Sequence, residues 1–423
     1  MLSKIEAFHY RCFEQLNIDL SRYHILVGAN GSGKSTLLDI PILLRDLLKH
    51  GLIAAFLECP AAAGDPRANS LQELVHQGRG NYFWFAIEAE LPKNIVSELI
   101  DVATKAVQSN EKRHPQKIRY ELKLEIFNKR ELQIAEENLW LMSRKAAADN
   151  DEWGIGGVRS TNYWTRLIER EGGRLATFRE KLSGKKPVKY SLEPNELALA
   201  SVPRDHTKYS VALWLRDFLE KESIQYEPDW TKLRVASPPG RLKKLRADAA
   251  NLPWLLLNLK RNEPDTFADW EEHVKCALPN IQTIGVVERE DDHHAYLRIK
   301  YSGDYEVTSS GLSYGTLHIL ALTVLPYLLS PPSLICIEEL ENGIHPKAIE
   351  TILESLRSVY SSQIMVSSHS MTALAHTKLS QIIVLRADSE GVSEAVSGDK
   401  HPLLAEWQGE LDIPMLFAAG VLE

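Results

Sequence analysis

The residues best suited to chemistry form a glycine-rich run near the start of the chain, Gly28-Ala29-Asn30-Gly31-Ser32-Gly33-Lys34-Ser35-Thr36. The run matches the pattern G-x-x-x-x-G-K-[ST] at every fixed position. Glycines let successive backbone N–H groups turn toward phosphate oxygens, and the N-terminus of a following helix adds positive potential. Lys34 is then expected to reach the β- and γ-phosphates of a bound nucleotide, and the Ser35 hydroxyl is expected to ligate Mg²⁺. The run therefore predicts a nucleotide and Mg²⁺ as cofactors.

A second pattern places two carboxylates directly after a short apolar stretch, where Glu338 and Glu339 follow residues 333–337. Glu338 is suited to binding Mg²⁺, either directly or through water. Glu339 is suited to orienting and deprotonating an attacking water molecule. Many strands end in acidic residues, so a solvated loop is the alternative. The glycine-rich run elsewhere in the chain favours the functional interpretation.

Two weaker patterns lie on either side of these carboxylates. His369 follows small hydroxyl residues at the end of a strand-like stretch, so its imidazole could lie near a γ-phosphate. A hydrogen-bonded loop histidine is the alternative. Ser313 and Gly315 precede an apolar helical run and could form an anion site at a helix N-terminus. The alternative there is an ordinary helix cap by Ser313.

The surrounding pattern indicates which elements must hold these residues. Alternating apolar positions in the first 27 residues predict two short strands and a buried strand over 23–27. A helix is predicted from Ser35 to about His50. Antiparallel strands are predicted at 82–91, at 118–127 and around 134–141.

The remainder of the chain favours an α/β fold with an insertion. Residues 1–145 are predicted to form a first lobe that carries the glycine-rich run, and residues 236–423 a second lobe. Residues 146–235 are predicted to form an inserted, mainly helical subdomain. In the second lobe, helices are expected over 312–329 and 346–360, with buried strands between and after them.

The composition excludes several classes of protein. The chain has 423 residues, of which 44% are apolar and 25% charged, so it is neither a disordered tail nor a fibre. Its four cysteines form no C-x-x-C pair, which indicates reduced thiols and a cytoplasmic location. The longest apolar run, residues 317–329, is too short to span a membrane. A net charge of −8 does not favour nucleic acid over the whole surface.

Taken together, the motifs occur in an order that resembles the ABC/SMC-like branch of P-loop ATPases. Within that branch, the chain is similar to the RecF-like and OLD-like AAA proteins (the AAA15/AAA21-type group) of DNA repair and anti-phage defence. The similarity lies in HILVGANGSGKSTLL, in GLSYGTLHILAL as a signature motif, in LICIEELENGIHP as a Walker B motif, and in VSSHS as a switch-histidine strand.

The resemblance implies an ABC/SMC-like ATPase head, with a mixed sheet, an antiparallel sheet in the N-terminal lobe and an inserted subdomain. It also implies a head-to-tail homodimer that holds ATP and Mg²⁺ between its subunits. Each ATP would lie between the Lys34 loop of one subunit and Ser313, Tyr314 and Gly315 of the other. In this scheme Glu339 is the general base and His369 senses the γ-phosphate.

The chain departs from the family pattern at several positions. Glu338 stands where relatives carry Asp, and Leu340 stands where they carry Pro. A slow or partner-dependent ATPase is therefore expected. The family's metal-binding glutamine is assigned to Gln77, with Gln72 as the other candidate. Both could also be surface residues on a short helix.

Two functions are compatible with these features. The first is an ATPase that drives or senses in a multi-protein anti-phage or DNA-repair system and acts with a separate effector, a nuclease or toxin. The alternative is a nucleotide-gated scaffold that holds such an effector with little hydrolysis of its own. The basic stretch 232–246 could contact DNA phosphates or could be one exposed helical face.

Overall fold

The computed structural model describes residues 1–58, 66–148, 163–180, 186–240 and 244–401. The chain divides into two compact units. Unit 1 consists of Met1–Ser21, Ala29–Ser223 and Leu385–Val396. Unit 2 consists of Arg22–Gly28, Ile224–Val384 and the residues from Ser397 onward. Each unit is described below by itself.

The strands and helices are numbered in chain order. The strands are β1 (Leu2–Tyr10), β2 (Phe13–Asp19), β3 (Tyr23–Val27), β4 (Tyr82–Glu90), β5 (Pro115–Phe127), β6 (Glu131–Ser143), β7 (Trp164–Glu171), β8 (Leu175–Phe178), β9 (Val188–Ser191), β10 (Ser223–Gln225), β11 (Ile281–Glu288), β12 (Ala295–Tyr301), β13 (Glu306–Thr308), β14 (Leu334–Ile337), β15 (Gln363–Ser367), β16 (Ile382–Ala387) and β17 (Ser393–Ser397). The α-helices are α1 (Lys34–His50), α2 (Leu52–Leu57), α3 (Lys93–Asp101), α4 (Lys105–Gln108), α5 (Arg144–Ala148), α6 (Ser210–Glu222), α7 (Trp230–Arg234), α8 (Leu252–Asn262), α9 (Pro264–Ala277), α10 (Tyr314–Thr323), α11 (Pro346–Arg357) and α12 (Met371–Ala375).

Unit 1 is built around an antiparallel sheet with the strand order β2-β1-β4-β5-β6-β7-β8-β9. Its strands alternate, so that Phe83, Phe85 and Ile87 of β4 are buried on one face. The pairs Phe83↔Leu124 and Phe85↔Leu122 continue that apolar face onto β5. The antiparallel strands predicted from alternation in this part of the chain are confirmed.

The segment predicted to be mainly helical differs from that expectation. Strands β7, β8 and β9 extend the sheet of unit 1, while α6 is the long helix of the segment. Trp164 and Ile168 of β7 are buried and pair with Met142 and Leu139 of β6. Burial along β7 does not alternate strictly, because Leu167 and the charged Arg170 are buried as well. Four of its eight residues are charged, so the residues there show no clear strand pattern. Parts of the segment, 149–162 and 181–185, lie outside the described residues, and the predicted three-part division stays a prediction.

The central strands of unit 2 are parallel and buried. In a sheet with the order β10-β14-β15-β3-β16-β17, β3 lies between β15 and β16 and is parallel to both. Every residue of β3, β14 and β15 is buried, as expected for parallel strands covered on both faces. The pairs Ile337↔Val366 and Ser367↔Leu26 align the carboxyl ends of these three strands at one edge of the sheet. Chain segments that follow the three strands therefore emerge side by side.

Two predicted helical stretches are shorter in the structure. Helix α10 ends at Thr323 instead of Leu329, because Pro326 lacks an N–H and its ring restricts the residue before it. In the basic stretch, α7 ends at Arg234, and Asp248 accepts hydrogen bonds from both Lys232 and Arg246. The alternative of one exposed helical face over 232–246 is therefore wrong for residues 235–240, which are not helical, while residues 241–243 lie outside the described part of the chain.

The cysteines agree with the expectation of reduced thiols as far as they are described. Cys12, Cys276 and Cys336 are free. Cys59 lies outside the described residues. Among the described residues, no helix is both long enough and apolar enough to cross a membrane.

Candidate functional site

The glycine-rich run obtains its shape from its main chain. It starts at Gly28, directly after β3, and leads into α1, which begins at Lys34. Gly28, Gly31 and Gly33 have φ angles of 149°, 83° and 100°, values that residues with a side chain rarely adopt. No side chain caps the start of α1. The N–H groups of its first turn are of the kind that binds phosphate oxygens.

Three observations in unit 1 describe how this run is packed and hydrogen-bonded. A Cβ on Gly33 would lie 2.8 Å from Cζ of Phe13 and 2.9 Å from Sγ of Cys12, so only glycine fits there. The Lys34 ammonium donates a hydrogen bond of 2.8 Å to the carbonyl of Ala29, which holds the lysine over its own loop. The buried hydroxyl of Ser32 has no hydrogen-bond partner among the described residues. A phosphate oxygen would relieve the cost of that unpaired group.

In unit 2, the segment Glu338–Gly343 follows β14 and is named here the carboxylate loop. Glu339 has a φ of 45°, a left-handed conformation that costs free energy in a residue other than glycine. The backbone N–H of Glu339 donates to Oγ of Ser367 at 2.9 Å, and that of Leu340 donates to the Ser367 carbonyl at 3.2 Å. At its other end, the Glu339 carboxylate accepts a hydrogen bond of 3.2 Å from Nδ2 of Asn342. Neighbouring groups therefore fix both the backbone and the carboxylate of Glu339.

The first carboxylate of the pair lies at the edge of β14. Its Oε1 is 3.4 Å from Nε2 of Gln225, which lies on β10. In the described part of the chain, no group of three or more His, Cys, Asp and Glu side chains could hold a metal ion by itself. A Mg²⁺ ion at Glu338 would therefore depend on phosphate oxygens and water for most of its ligands, as is usual for this ion.

The loop after β15 is tied to the carboxylate loop by Glu341. The backbone N–H of Ser368 donates to the carbonyl of Leu26 in β3 at 3.1 Å, and its hydroxyl donates to the Glu341 carboxylate at 2.8 Å. The backbone N–H of His369 donates to the same carboxylate. Sequence reasoning missed Glu341, because one more acidic residue in a loop carries no signal of its partners. Unit 2 thus brings Gly28, the carboxylate pair and His369 to one edge of its sheet.

The first turn of α10 contacts the carboxylate loop. Ser313 caps the helix, since its Oγ accepts a hydrogen bond of 3.1 Å from the N–H of Thr316. A Cβ on Gly315 would lie 2.6 Å from the carbonyl oxygen of Gly343. A Cβ on Gly343, whose φ is 69°, would lie 2.0 Å from Cε1 of Tyr314. Gly343 was not among the predicted site residues, although the Asn-Gly pair was a sign of an unusual turn.

One turn further along α10, His318 reaches the same loop. Its Nδ1 is 3.0 Å from the carbonyl oxygen of Asn342. Burial lowers the pKa of His318 below its ordinary value, which keeps the imidazole neutral. Sequence reasoning gave this buried histidine no role in the site.

The candidates for the metal-binding glutamine both lie in unit 1. The Gln77 amide donates a hydrogen bond of 3.0 Å to the carbonyl of Glu390, and Gln77 lines a cavity of about 370 Å³ with His9 and Arg79. The Gln72 amide donates at 2.6 Å to the carbonyl of Gly78. Each side chain therefore braces a turn of unit 1, and the Mg²⁺ role of Gln77 stays a prediction.

Comparison with known proteins extends these findings. A sequence model of the family described as "AAA domain, putative AbiEii toxin, Type IV TA system" matches residues 168–375, a range that begins after the glycine-rich run. No curated protein matches the chain. Among solved structures, the chain is similar to a crystal structure of the SmcHead bound to the C-winged helix domain of ScpA, with 15% identity and a TM-score of 0.51, covering 93% of this chain and 97% of that one.

A second similar structure is the Smc head domain with an extended coiled coil, bound to the C-terminal domain of ScpA, from Pyrococcus furiosus. It has 14% identity and a TM-score of 0.49, and the match covers 100% of this chain and 99% of that one. At such low identities, the similarity to the first structure shows the fold. The chain is thus similar to this AAA family over residues 168–375, and it shares the fold of an Smc head.

Proposed function

We propose that this protein binds ATP with Mg²⁺ and hydrolyses it to ADP and phosphate. The observation that carries the proposal is the conformation of Glu339. Glu339 follows the buried strand β14, which is separated from β3 in the sheet by β15 alone. Ser367 and Asn342 hold Glu339 in a strained left-handed conformation. Strain of this kind persists only where the surroundings impose it, and it is concentrated at functional sites.

The proposed chemistry uses residues from both motifs. The glycine-rich run and Lys34 bind the phosphate groups, and the hydroxyl of Ser32 donates to a phosphate oxygen. Ser35 and Glu338 hold Mg²⁺, which offsets the negative charge of the phosphates when bound. The Glu339 carboxylate accepts a proton from water as the water oxygen bonds to the γ-phosphorus and the bond to the bridging oxygen breaks. His369 contacts the γ-phosphate.

We further propose that two copies of the chain enclose ATP and that the pair acts with a separate effector. Ser313 and Gly315 of a second copy would complete each site, as the resemblance to the family implies. Two comparisons support an effector: the matching family is described as a toxin system, and the similar Smc head is bound to a domain of ScpA. An anti-phage or DNA-repair setting, with a nuclease or toxin as the effector, follows from the same family resemblance.

The test is ATP turnover by the purified protein with Mg²⁺, beside Lys34→Ala and Glu339→Gln. Loss of ATP binding is expected in Lys34→Ala, because the ammonium that neutralises phosphate charge is removed. Glu339→Gln is expected to retain binding, to lose at least about 100-fold in turnover, and to form a dimer in ATP by light scattering. Glu354→Gln is the matched control, since it makes the same chemical change at an exposed position on α11.

The proposal fails if the wild-type protein binds ATP without any turnover that depends on Glu339. DNA and candidate effectors are added in separate arms, because a partner-dependent enzyme would turn over slowly alone. A stimulated rate that Glu339→Gln abolishes would support the proposal as fully as a basal one.

A nucleotide-gated scaffold is the second candidate, and Glu338 is the observation that favours it. Glu338 is longer by one methylene than the Asp of relatives, and its carboxylate already contacts Gln225. Both features would weaken its hold on Mg²⁺ and slow hydrolysis. A scaffold would co-purify with an effector, release it in Lys34→Ala, and keep it in Glu339→Gln without measurable turnover at any stage.

A further inference from the structure

We propose that helix α10 positions Glu339 through His318 and Asn342. Binding at the first turn of α10 would then control the rate of ATP hydrolysis by displacing that turn. This inference rests on the proposed function and names how that site is regulated. His318 and Asn342 are positioning residues in this scheme, because they act on the reaction only through the Glu339 carboxylate.

The proposed connection is a continuous series of contacts within unit 2. From the helix, Nδ1 of His318 lies 3.0 Å from the carbonyl oxygen of Asn342. From the same residue of the loop, Nδ2 of Asn342 donates to Oε2 of Glu339 at 3.2 Å. Asn342 thus accepts from the helix with its main chain and donates to the proposed base with its side chain. Both distances lie within the range of ordinary hydrogen bonds.

The protonation of His318 follows from its partner and its burial. A carbonyl oxygen can only accept, so Nδ1 must carry the proton that the contact requires. The side chain is buried, and burial lowers the pKa of His318, so the ring is neutral with a single N–H. Since that N–H has one orientation, the ring fixes where the Asn342 carbonyl lies relative to α10.

Two steric contacts make the first turn of α10 and the loop move together. The ring of Tyr314 lies over Gly343 so closely that a Cβ there would be 2.0 Å from Cε1. Gly315 lies against the carbonyl of Gly343 on the same side, where its own Cβ would be 2.6 Å from that oxygen. Close-packed groups of this kind shift as a unit. A displacement of the helix start therefore displaces Asn342, and with it the donor to Glu339.

The backbone of Glu339, in contrast, is held from a different element. Its N–H donates to Ser367 of β15, which belongs to the buried parallel sheet. One side of Glu339 is therefore fixed to the sheet, while its carboxylate takes its orientation from α10. This division allows a change at the helix to reorient the carboxylate without dismantling the site.

The test is a double-mutant cycle measured in the full-length protein. His318→Leu removes the donor and keeps an apolar side chain in the buried space, while His318→Asn places an amide N–H near the position of Nδ1. We expect His318→Leu to lower kcat about tenfold with KM and ATP affinity unchanged, since small misplacements of reacting groups carry costs of this order. His318→Asn is expected to restore kcat to within about threefold of wild type.

Asn342→Ala completes the cycle. We expect it to lower kcat about as much as His318→Leu does, and the double variant to be no slower than either single variant, because both changes interrupt one connection. An unchanged kcat in His318→Leu would overturn the inference. Losses that multiply in the double variant, or a parallel loss of ATP affinity, would indicate two separate structural effects and would overturn it as well.

A second measurement separates this inference from the proposed function. Hydrogen–deuterium exchange of peptides that contain residues 338–343 reports whether His318 holds the loop, with or without catalysis. Faster exchange in His318→Leu, restored by His318→Asn, is expected. If the wild-type protein shows no turnover that depends on Glu339, the proposed function has failed. In that case the exchange measurement alone tests the connection from His318 through Asn342 to Glu339. Unchanged exchange in His318→Leu would overturn it.

Discussion

The glycine-rich run of unit 1 and the carboxylate loop of unit 2 are held in shape in different ways. The run is shaped by its own main chain, with glycines at positive φ and a lysine that binds a carbonyl five residues earlier. The carboxylate loop contains one glycine and is shaped by distant residues. Ser367, Ser368 and His318 reach it from other elements, at separations of 24 to 28 residues.

The difference bears on which substitutions each loop tolerates. A loop shaped by its main chain fails when a side chain is added, since the added atoms have no space and the φ angle is unfavourable. A loop shaped by partners fails when a side chain is removed elsewhere. Ligand binding is expected to depend on the first kind of loop and the rate of hydrolysis on the second. The predictions below test that division.

The largest effect is expected for Gly33→Ala. Its Cβ would lie 2.8 Å from the Phe13 ring and 2.9 Å from Sγ of Cys12, at a φ of 100°. We expect ATP binding to weaken more than about 100-fold and the free energy of unfolding to fall by about 1–3 kcal/mol, because strain and overpacking add. Titration calorimetry and chemical denaturation provide the two measurements.

Gly31→Ala is the matched control for this prediction. Gly31 also has a positive φ, 83°, yet a Cβ there would have no atom within 4 Å. It should therefore carry the conformational cost without the overpacking, and should lose less stability than Gly33→Ala. Equal losses in stability would show that backbone strain alone explains the requirement for glycine.

The same division explains how far the sequence alone could predict the site. The glycine-rich run is local, so its residues, the strand before it and the helix after it were all predicted from spacing. The glutamate pair was predicted to be functional because the glycine-rich run favoured that interpretation over a solvated loop. Glu341, Asn342 and Gly343 were missed, since their partners lie on other elements and no local pattern indicates them.

The fold shows the same limit. Alternating apolar residues predicted the antiparallel strands of unit 1 and the buried strand β3. The charged residues of Trp164–Glu171 hid a strand whose buried positions pair with β6. Pro326 was visible within the predicted helix over 312–329, and its effect on the helix end was underestimated. Pairing with β6 made residues 164–171 a strand despite their charges, and the stereochemistry of proline ended helix α10 early.

The next largest effect is expected for Ser367→Ala. Removing this hydroxyl leaves the N–H of Glu339 without its acceptor, in a backbone conformation that is already strained. We expect turnover to fall about tenfold, and the free energy of unfolding to fall by about 1–3 kcal/mol, which is the usual cost of an unpaired buried group. ATP affinity should be unchanged, because the glycine-rich run is intact.

Ser362→Ala is the control variant on the adjoining chain segment. Ser362 lies just before β15 and is buried. Its hydroxyl donates a hydrogen bond to the carbonyl of Pro332. Its loss should lower stability by a similar amount and leave turnover unchanged. If Ser362→Ala slowed hydrolysis as much as Ser367→Ala, the effect of Ser367 would be one of general stability.

A smaller effect is expected from the protonation of His24 on β3, the strand that precedes the glycine-rich run. Burial lowers the pKa of His24 from 6.5 to about 4. Below pH 6.5 the unfolded chain binds a proton at His24, whereas the folded protein does not bind it until about pH 4. The free energy of unfolding therefore falls as the pH falls from 6.5 to 4. Between pH 7.5 and 5.5, the loss from this residue should be about 1 kcal/mol.

His24→Gln cannot titrate and should remove that part of the pH dependence. Urea denaturation of both proteins at the two pH values measures it. The same loss in both proteins would show that His24 does not carry it. Because ATP binding depends on the run itself, affinity for ATP should change little in the variant at pH 7.5.

The smallest effect is expected for Gln225→Ala, which distinguishes the two carboxylates of the pair. The Gln225 amide is 3.4 Å from Oε1 of Glu338, which is a long contact. If Glu338 holds Mg²⁺ and Glu339 acts as base, the variant should shift the Mg²⁺ concentration for half-maximal turnover by less than about threefold and leave kcat at saturating Mg²⁺ unchanged. A fall in kcat at saturating Mg²⁺ would mean that Glu338 takes part in the hydrolytic step itself. The roles of the two carboxylates would then have to be reversed. Glu339, in its strained conformation, would be the ligand of Mg²⁺, and Glu338 would be the base that accepts the proton from water.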